Sequence, residues 1–528
     1  MRGYLASAIG VTCVAALALP LTLPQAAEPF RPAPGAAVLD GSPGESGASD
    51  RTGTDSSDTT DSSEVTDSSD ASGTDASTGT DASSRTDTSD ASGVVGETAS
   101  DGTDVSGSTE SLALAPLSRD RALGATLQGL GREDVQRFSL LGVIWDDPDA
   151  ELNGSVQVRT RSAATGVWSE WQDLETHNAE HAADPDTAER SSGRVRGATA
   201  PLWVGDSDGV EVRVQAQADN ETEAAEGATP TPKRSLLPAG LRIELIDPGI
   251  TDTRDPADTD DPTGTGGTGS TGSTGGTGGT GGTGGTPVQA AAAEPLEYPA
   301  LTRAETEQEL LRESGGVVQA GAAPAQPYLG PRPKITTRKG WGADEGLREK
   351  GFVYTNKVKA AFVHHTATGN NYTCAEAPSV IRGIYRYHVK SMGWRDIGYN
   401  FLVDKCGTIY EGRAGGVAKA VLGAHTLGFN SDSMGIAAIG SYGSTKPSNV
   451  AVTAIARLGA WKLGIWGGNP KGTTYLTSGG GNLYKKGKNV RLNVISGHRD
   501  GFSTECPGAA LYGKLGTVRT EAARLQGR

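Results

Sequence analysis

The sequence predicts a multidomain protein: an upstream all-β, sandwich-like domain and a C-terminal α/β domain, separated by long segments that cannot fold alone. Three observations predict it. First, 75 of 528 residues are Gly and only 5% are aromatic, so much of the chain cannot bury enough apolar surface to offset the entropy of ordering. Second, apolar and polar residues alternate with period two in several short runs between 138 and 246. Third, residues 331–528 mix apolar strand-like runs with stretches of helical spacing. Charge divides along the same line. Residues 331–528 carry 28 Lys+Arg against 11 Asp+Glu, and the remainder 20 against 52. A basic C-terminal domain therefore follows an acidic stalk, a pattern suited to solubility or to attraction of a polyanion such as an anionic cell-wall polymer.

Residues 1–27 read as a secretory signal peptide. Arg2 is the positive start, 5–23 is apolar, and Ala26-Ala27 offers a small-residue cleavage site. A secreted, extracellular protein is expected, and no other stretch is long and apolar enough to span a bilayer. Removing the signal removes Cys13 and leaves Cys374, Cys406 and Cys506. That odd count needs an explanation. Pairing the first two would leave Cys506 free, intermolecular or metal-bound.

Residues 28–112 form a Ser/Thr/Asp/Gly tract, expected to be a disordered stalk. Residues 113–250 are expected to form the β-rich accessory domain, with strands at 138–145, 154–161, 167–171, 210–215 and 240–246. His177 and His181 fall in an acidic loop and are expected to be solvated. Residues 251–330 read as a Gly/Thr-rich and Ala/Pro-rich linker with one short helical patch at 301–312. In the C-terminal domain, 331–528, the strand at 358–364 should deliver His364 at its end. A helix is expected at 378–389, and a hairpin over 399–411 turning at 404–407. A strand should run over 433–442, and Ser448 should cap a helix reaching about residue 465. Residues 467–488 read as a loop or hairpin excursion. A strand at 493–498 ends on His498, and Pro507 suits the first turn of a final helix.

The chemistry concentrates in two segments. One is Phe362-Val363-His364-His365-Thr366-Ala367. The other runs from Gly497-His498-Arg499-Asp500 to Thr504-Glu505-Cys506-Pro507-Gly508. Two imidazoles and a thiolate form a ligand set for an open zinc site, with a fourth position left for water. Adjacent strand residues point to opposite faces, so only one of His364 and His365 can face the site. Cys506 at the start of the expected helix would gain thiolate character from the helix N-terminus. Taken singly, a strand-end histidine is more often structural; the odd cysteine gives the set its weight.

Further motifs stand in order with these: Arg338-Lys339-Gly340-Trp341-Gly342-Ala343, Trp394-Arg395-Asp396-Ile397-Gly398-Tyr399-Asn400-Phe401, Gly407-Thr408-Ile409-Tyr410-Glu411-Gly412-Arg413, Gly423-Ala424-His425 and Ser433-Met434-Gly435-Ile436. Over about 331–528 the chain resembles the peptidoglycan recognition proteins and the related type-2 N-acetylmuramoyl-L-alanine amidases. The resemblance does not extend to 28–330. It implies a mixed central β-sheet flanked by helices, with a zinc cleft on one side. It implies His364, His498 and Cys506 as zinc ligands and Tyr399 as a catalytic residue. Thr504, two before the cysteine, is expected to donate a hydrogen bond in catalysis where some phage amidases have a lysine. His388 and His425 match positions lining the peptide cleft, and Arg413 could pair with a peptide carboxylate. Each has a plain structural alternative: core packing for Tyr399, hydrogen bonding for the histidines, surface charge for Arg413. A family disulfide near the first helix suggests Cys374 with Cys406. Members without amidase activity often replace the zinc cysteine, so the retained Cys506 points to a secreted zinc amidase acting on peptidoglycan and muropeptides. The alternative is a non-catalytic peptidoglycan-binding protein. A monomer is expected, and no nucleic acid, because the basic domain lacks a reader motif.

Overall fold

The computed structural model describes residues 107–118, 126–217, 237–249, 294–313 and 328–528. The expected signal peptide, most of the stalk and the Thr/Gly tract lie outside these residues. The upstream domain is a single eight-stranded antiparallel sheet. Its main strands are β1 (Thr109–Ala113), β2 (Leu127–Trp145), β3 (Gly154–Ser162), β4 (Gln172–Leu174), β5 (Leu202–Ala216) and β6 (Arg242–Ile246), in the order β1-β6-β2-β5-β3-β4. Ala115–Pro116 and Gly197–Ala198 add short pairings to β2. The stalk therefore ends earlier than expected: β1 pairs with β6 along its whole length. Register shifts between β2 and β5 at Leu130/Glu133 and Asp134/Phe138 mark bulges, which bend long strands.

Residues 167–171, expected as a strand, make only an isolated bridge, Arg161 with Trp168. Trp168 and Trp171 instead stack with arginines of the neighbouring strands. The Arg132 guanidinium lies 5.0 Å from the Trp168 ring centroid, and that of Arg213 lies 4.1 Å from Trp171. The two rings are three residues apart and each stacks on an arginine, whereas one face of a strand needs a spacing of two.

The end of β2 is buried on both faces. Leu141, Val143 and Trp145 enter the domain's own core. Leu140 and Ile144, on the other face, join a second core with Tyr385, Tyr387, Met392 and Trp394 of the C-terminal domain. Gly142 lies between them, and a Cβ there would stand 2.4 Å from the Tyr387 hydroxyl. The two domains thus share one apolar cluster.

The C-terminal sheet contains β7 (Ile335–Thr336), β8 (Ala360–His365), β9 (Phe401–Val403), β10 (Ile409–Glu411), β11 (Ser433–Ala438) and β14 (Ile495–Gly497). A separate hairpin, β12 (Thr473–Thr477) with β13 (Asn489–Asn493), precedes β14. The sheet order is β14-β8-β11-β9-β10-β7, and it is mixed: β8 runs parallel to β11 and β14, while β9 and β10 are antiparallel. Glu297–Tyr298 extends the edge beyond β7. Part of the expected linker therefore belongs to this domain, together with helix α1 (Arg303–Glu313). Helices α3 (Asn449–Ile465) and α4 (Leu515–Leu525) cover one face of the sheet over Ala361, Val363, Phe401, Ile436 and Ala438. Helix α2 (Ala377–Arg386) covers the other face with Leu402 and Ala437. Strand alternation places His364 on the face opposite Val363. A disulfide joins Cys374 to Cys406, with Cα atoms 6.2 Å apart, and Cys506 is free and buried. Among the described residues, no helix is long and apolar enough to cross a membrane.

Candidate metal centre

Parallel pairing of β8 with β14 brings the ends of two strands side by side. His364 is the fifth residue of β8, and His498 follows β14 in a short turn, His498–Asp500. Their ring centroids are 4.5 Å apart, and both side chains are fully buried. Cys506 closes the group from the following loop, with its Sγ 3.8 Å from His364 Nδ1. The expected helix N-terminus is not what holds this sulfur. The next helix, Ala509–Tyr512, is a single turn beginning three residues later. The loop is set instead by the Cys506 N–H donating to Thr504 Oγ1 at 3.1 Å, while the His365 N–H donates to the sulfur at 3.4 Å.

His425 lies behind His364. Its Nδ1 is 3.3 Å from His364 Nε2 and 3.0 Å from Thr426 Oγ1. This contact orients the His364 ring and leaves Nδ1 directed to the sulfur. His425 is fully buried, so it supports the site from within rather than lining an open cleft. His388 is also buried. Its Nδ1 accepts from the Gly398 N–H at 3.1 Å, and its ring stacks on Trp394 at 4.5 Å, which fixes the turn leading to Tyr399.

A fourth group enters from the upstream domain. His181, expected to be solvated, is 6% exposed. Its donor atoms and those of His364, His498 and Cys506 all lie within 4.8 Å of one another. Its acidic neighbours in sequence suggested a surface loop. In the fold, however, Ala182 and Ala183 pack into the shared apolar cluster, and the Leu427 N–H donates to Glu180 O at 2.8 Å. Those contacts carry the short turn Ala179–His181 inward. His177 is exposed. The only hint in the sequence was a histidine followed by two alanines within a charged stretch, too weak a pattern to single out.

The donor set fits a metal ion. Both ring nitrogens of His181 and both of His498 are buried, and apart from weak approaches to the backbone of Asn178 and Glu180 they have no hydrogen-bond partner among the described residues. Orphaned buried polar atoms are costly, and an ion accepting one lone pair from each ring would remove part of that cost. Burial, and then the neighbouring histidines, hold His364 and His498 well below the usual imidazole range. Burial and then the His365 charge lower His181 to about 3. Neutral imidazole is the ligand form. Burial pushes the Cys506 thiol up, so its deprotonation calls for a cation beside it. Three imidazoles and one thiol suit zinc.

Tyr399 is buried beside this group, its ring 5.6 Å from that of His364, and burial pushes its phenol well above 10. Thr504 Oγ1 donates to Glu180 Oε1 at 2.8 Å, and burial raises the Glu180 carboxyl to about 8. Arg413 does bind a carboxylate, but an internal one. Its Nη1 and Nη2 donate to Glu189 Oε2 and Oε1 at 2.9 and 2.8 Å, and both side chains are nearly fully buried. A cleft of about 250 Å³, lined by His177, Glu180, His181, His365, Thr504 and Cys506 among others, opens beside the centre.

Two family models match separate parts of the chain. Residues 354–509 match N-acetylmuramoyl-L-alanine amidase, and residues 97–233 match Rv3811 N-terminal galactose-binding domain-like. Peptidoglycan-recognition protein SC2 of Drosophila melanogaster is 31% identical over 183 residues, covering 35% of this chain and 85% of that protein. The chain belongs to the peptidoglycan-recognition protein family. A peptidoglycan recognition protein of Trichoplusia ni is 30% identical over 182 residues, covering 34% of this chain and 85% of its own. The solved structure of Drosophila PGRP-LB is 26% identical and covers 35% of this chain and 92% of that chain, with a TM-score of 0.28. Within this peptidoglycan-recognition chain, His364, His498 and Cys506 fall inside the amidase match, whereas His181, Glu180 and Glu189 fall inside the galactose-binding-like match.

Proposed function

We propose that this protein is a secreted, zinc-dependent N-acetylmuramoyl-L-alanine amidase that cleaves the amide between the lactyl group of N-acetylmuramic acid and L-alanine of the stem peptide. The observation that carries the reading is the cluster of His364, His498 and Cys506, with unpartnered buried nitrogens, beside the Tyr399 phenol. The amidase family match supports the reaction class, and the relatives named for peptidoglycan recognition support the substrate class. The Cys374–Cys406 disulfide suits an oxidising, extracellular compartment.

His364, His498 and Cys506 would hold the zinc. When bound, the ion supplies Lewis acidity, polarising a carbonyl and making water nucleophilic near neutral pH. The reaction adds the oxygen of water to the lactyl carbonyl carbon, breaks the C–N bond and passes a proton to the alanine nitrogen. The chain's own residues orient and stabilise. Tyr399, kept un-ionised by burial, can donate its hydroxyl proton to the oxyanion that develops on the carbonyl oxygen. His425 fixes the His364 ring. Thr504 shapes the cysteine loop and offers a neutral hydroxyl at the cleft. Arg413 is suited to a stem-peptide carboxylate, since its fork is set for bidentate pairing.

The test is mass spectrometry of muropeptides after digestion of sacculi by the full chain carrying His181→Ala, which frees one position of the donor set. Stem peptides with a free L-alanine amine should appear. Adding Cys506→Ser should abolish both their release and stoichiometric zinc. A zinc-loaded His181→Ala chain that retains sacculi and releases nothing would leave a binding protein. Release by the metal-free double variant would refute the metal chemistry.

A further inference from the structure

The loop between β4 and β5 is much longer than the roughly 4–6 residues of an ordinary connection, and loops of such length are commonly functional lids. Its part 178–196 touches its own domain through Arg190, at Pro148 and Asp149. It lies across the site of the C-terminal domain, in contacts that a substrate and a metal would otherwise take. We infer that this segment is an internal plug: His181 is a fourth protein ligand to the metal held by His364, His498 and Cys506, Glu189 occupies Arg413 in place of a peptide carboxylate, and the enzyme is latent until the segment withdraws. The inference rests on the amidase reading above and concerns how that same site is regulated.

Three independent sets of contacts carry it. The first is the donor count. Catalytic zinc sites keep three protein ligands and an open position, while four protein ligands close the shell. Here His181, the third imidazole and fourth donor, has its ligand atom within 4.8 Å of those of the other three groups. The second is mimicry of an acidic peptide. Glu189 takes both arms of the Arg413 guanidinium and also accepts the Arg395 N–H at 3.1 Å. Asp184 Oδ1 accepts from the Gly428 N–H and Asn430 Nδ2, each at 2.7 Å. Glu180 accepts from Thr504. Three carboxyl groups from one loop therefore satisfy donors of a basic domain, as an anionic stem peptide would. The third is anchoring. Ahead of the segment β4 pairs with β3, and after it Gly197–Ala198 rejoins the upstream sheet. The plug is therefore tethered on both sides, and opening requires only the intervening loop to move.

The experiment compares the full chain with its His181→Ala and Glu189→Gln variants after cobalt(II) replaces zinc. The wild-type visible spectrum should ignore added azide, because no position is open, and the His181→Ala spectrum should shift with azide. Release of stem peptides should rise about tenfold or more in His181→Ala, as expected when a competing closed state is removed. Glu189→Gln keeps all four donors, so its spectrum should stay azide-insensitive while soluble muropeptide binds more tightly than to wild type. Identical azide responses in wild type and His181→Ala would overturn the fourth-ligand assignment. Loss of stoichiometric metal from His181→Ala, with no gain in muropeptide binding, would make the centre a structural staple and overturn latency. Unchanged muropeptide affinity in both variants would do the same. If the amidase reading alone fails, no variant cleaves, yet azide response and muropeptide affinity still distinguish a plugged site from an open one.

Discussion

At the scale of single residues, Tyr399 and Cys506 carry different kinds of consequence. Tyr399 is buried among His181, His364 and His388 without belonging to the donor set, so its loss should leave the metal in place. Tyr399→Phe, placed on the His181→Ala chain, should lower kcat by about 100-fold or more while zinc content is unchanged, the scale of losing one oxyanion donor. Paired metal analysis and initial rates check this; a kcat within a few-fold of the parent would remove Tyr399 from the chemistry. His364 and Cys506 were legible because a strand end and an odd thiol are local facts. His181 was not legible, because what draws it inward is the packing of Ala182 and Ala183 and a hydrogen bond from Leu427, more than two hundred residues away. The same holds for Glu189, whose partner Arg413 is equally remote.

At the scale of elements, β2 and α3 show how burial sets energetics. Gly142 in β2 leaves room for the Tyr387 hydroxyl, which donates to Thr199 O at 3.0 Å. Gly142→Ala should cost about 1–3 kcal/mol through overpacking. Tyr387→Ala removes the hydroxyl and the ring carbons that the new methyl meets, so the double variant should be more stable than additivity predicts. Thermal denaturation of the four proteins measures the coupling, and strict additivity would mean that the contact relaxes elsewhere. On α3, Lys462 is buried, and its ammonium donates to the carbonyls of Val417 and Lys419. Burial pushes its pKa down to about 7. An unfolded lysine titrates near 10.4, so between about pH 7 and 10 the unfolded chain binds the proton more tightly. Stability should therefore rise with pH across that window, and Lys462→Met should flatten this contribution. Chemical denaturation at stepped pH tests it. Period-two alternation identified β3 and β5, and Ser448 marked the start of α3, its hydroxyl accepting from the Ala451 N–H. The Trp168–Trp171 run was misread because aromatic residues suit a strand, whereas here both rings stack on arginines of other strands.

For the whole molecule, the upstream domain is more than a spacer. It shares an apolar cluster with α2 and supplies the loop that reaches the metal centre. A chain beginning at residue 331 also loses Glu297–Tyr298 and α1, and with them the Glu309 partner of Arg332. Such a truncation should bind a hydrophobic dye and melt below the full chain, because Tyr387, Met392 and Trp394 lose their cover. The part that stays folded should cleave soluble muropeptide faster per molecule than the full chain, being free of 178–196. A truncation as stable as the full chain, or one no more active, would contradict this account of the interface. The sequence by itself determined the mixed C-terminal fold and the family, and singled out His364, His498 and Cys506 as candidates, because strand alternation, turn residues and ordered motifs are written within a few residues of one another. Only the tertiary structure decided how that site is completed. Which loop of a separate domain fills a cleft depends on two surfaces meeting, and the alanines, carboxylates and single histidine that make this loop fit carry no local pattern to announce it.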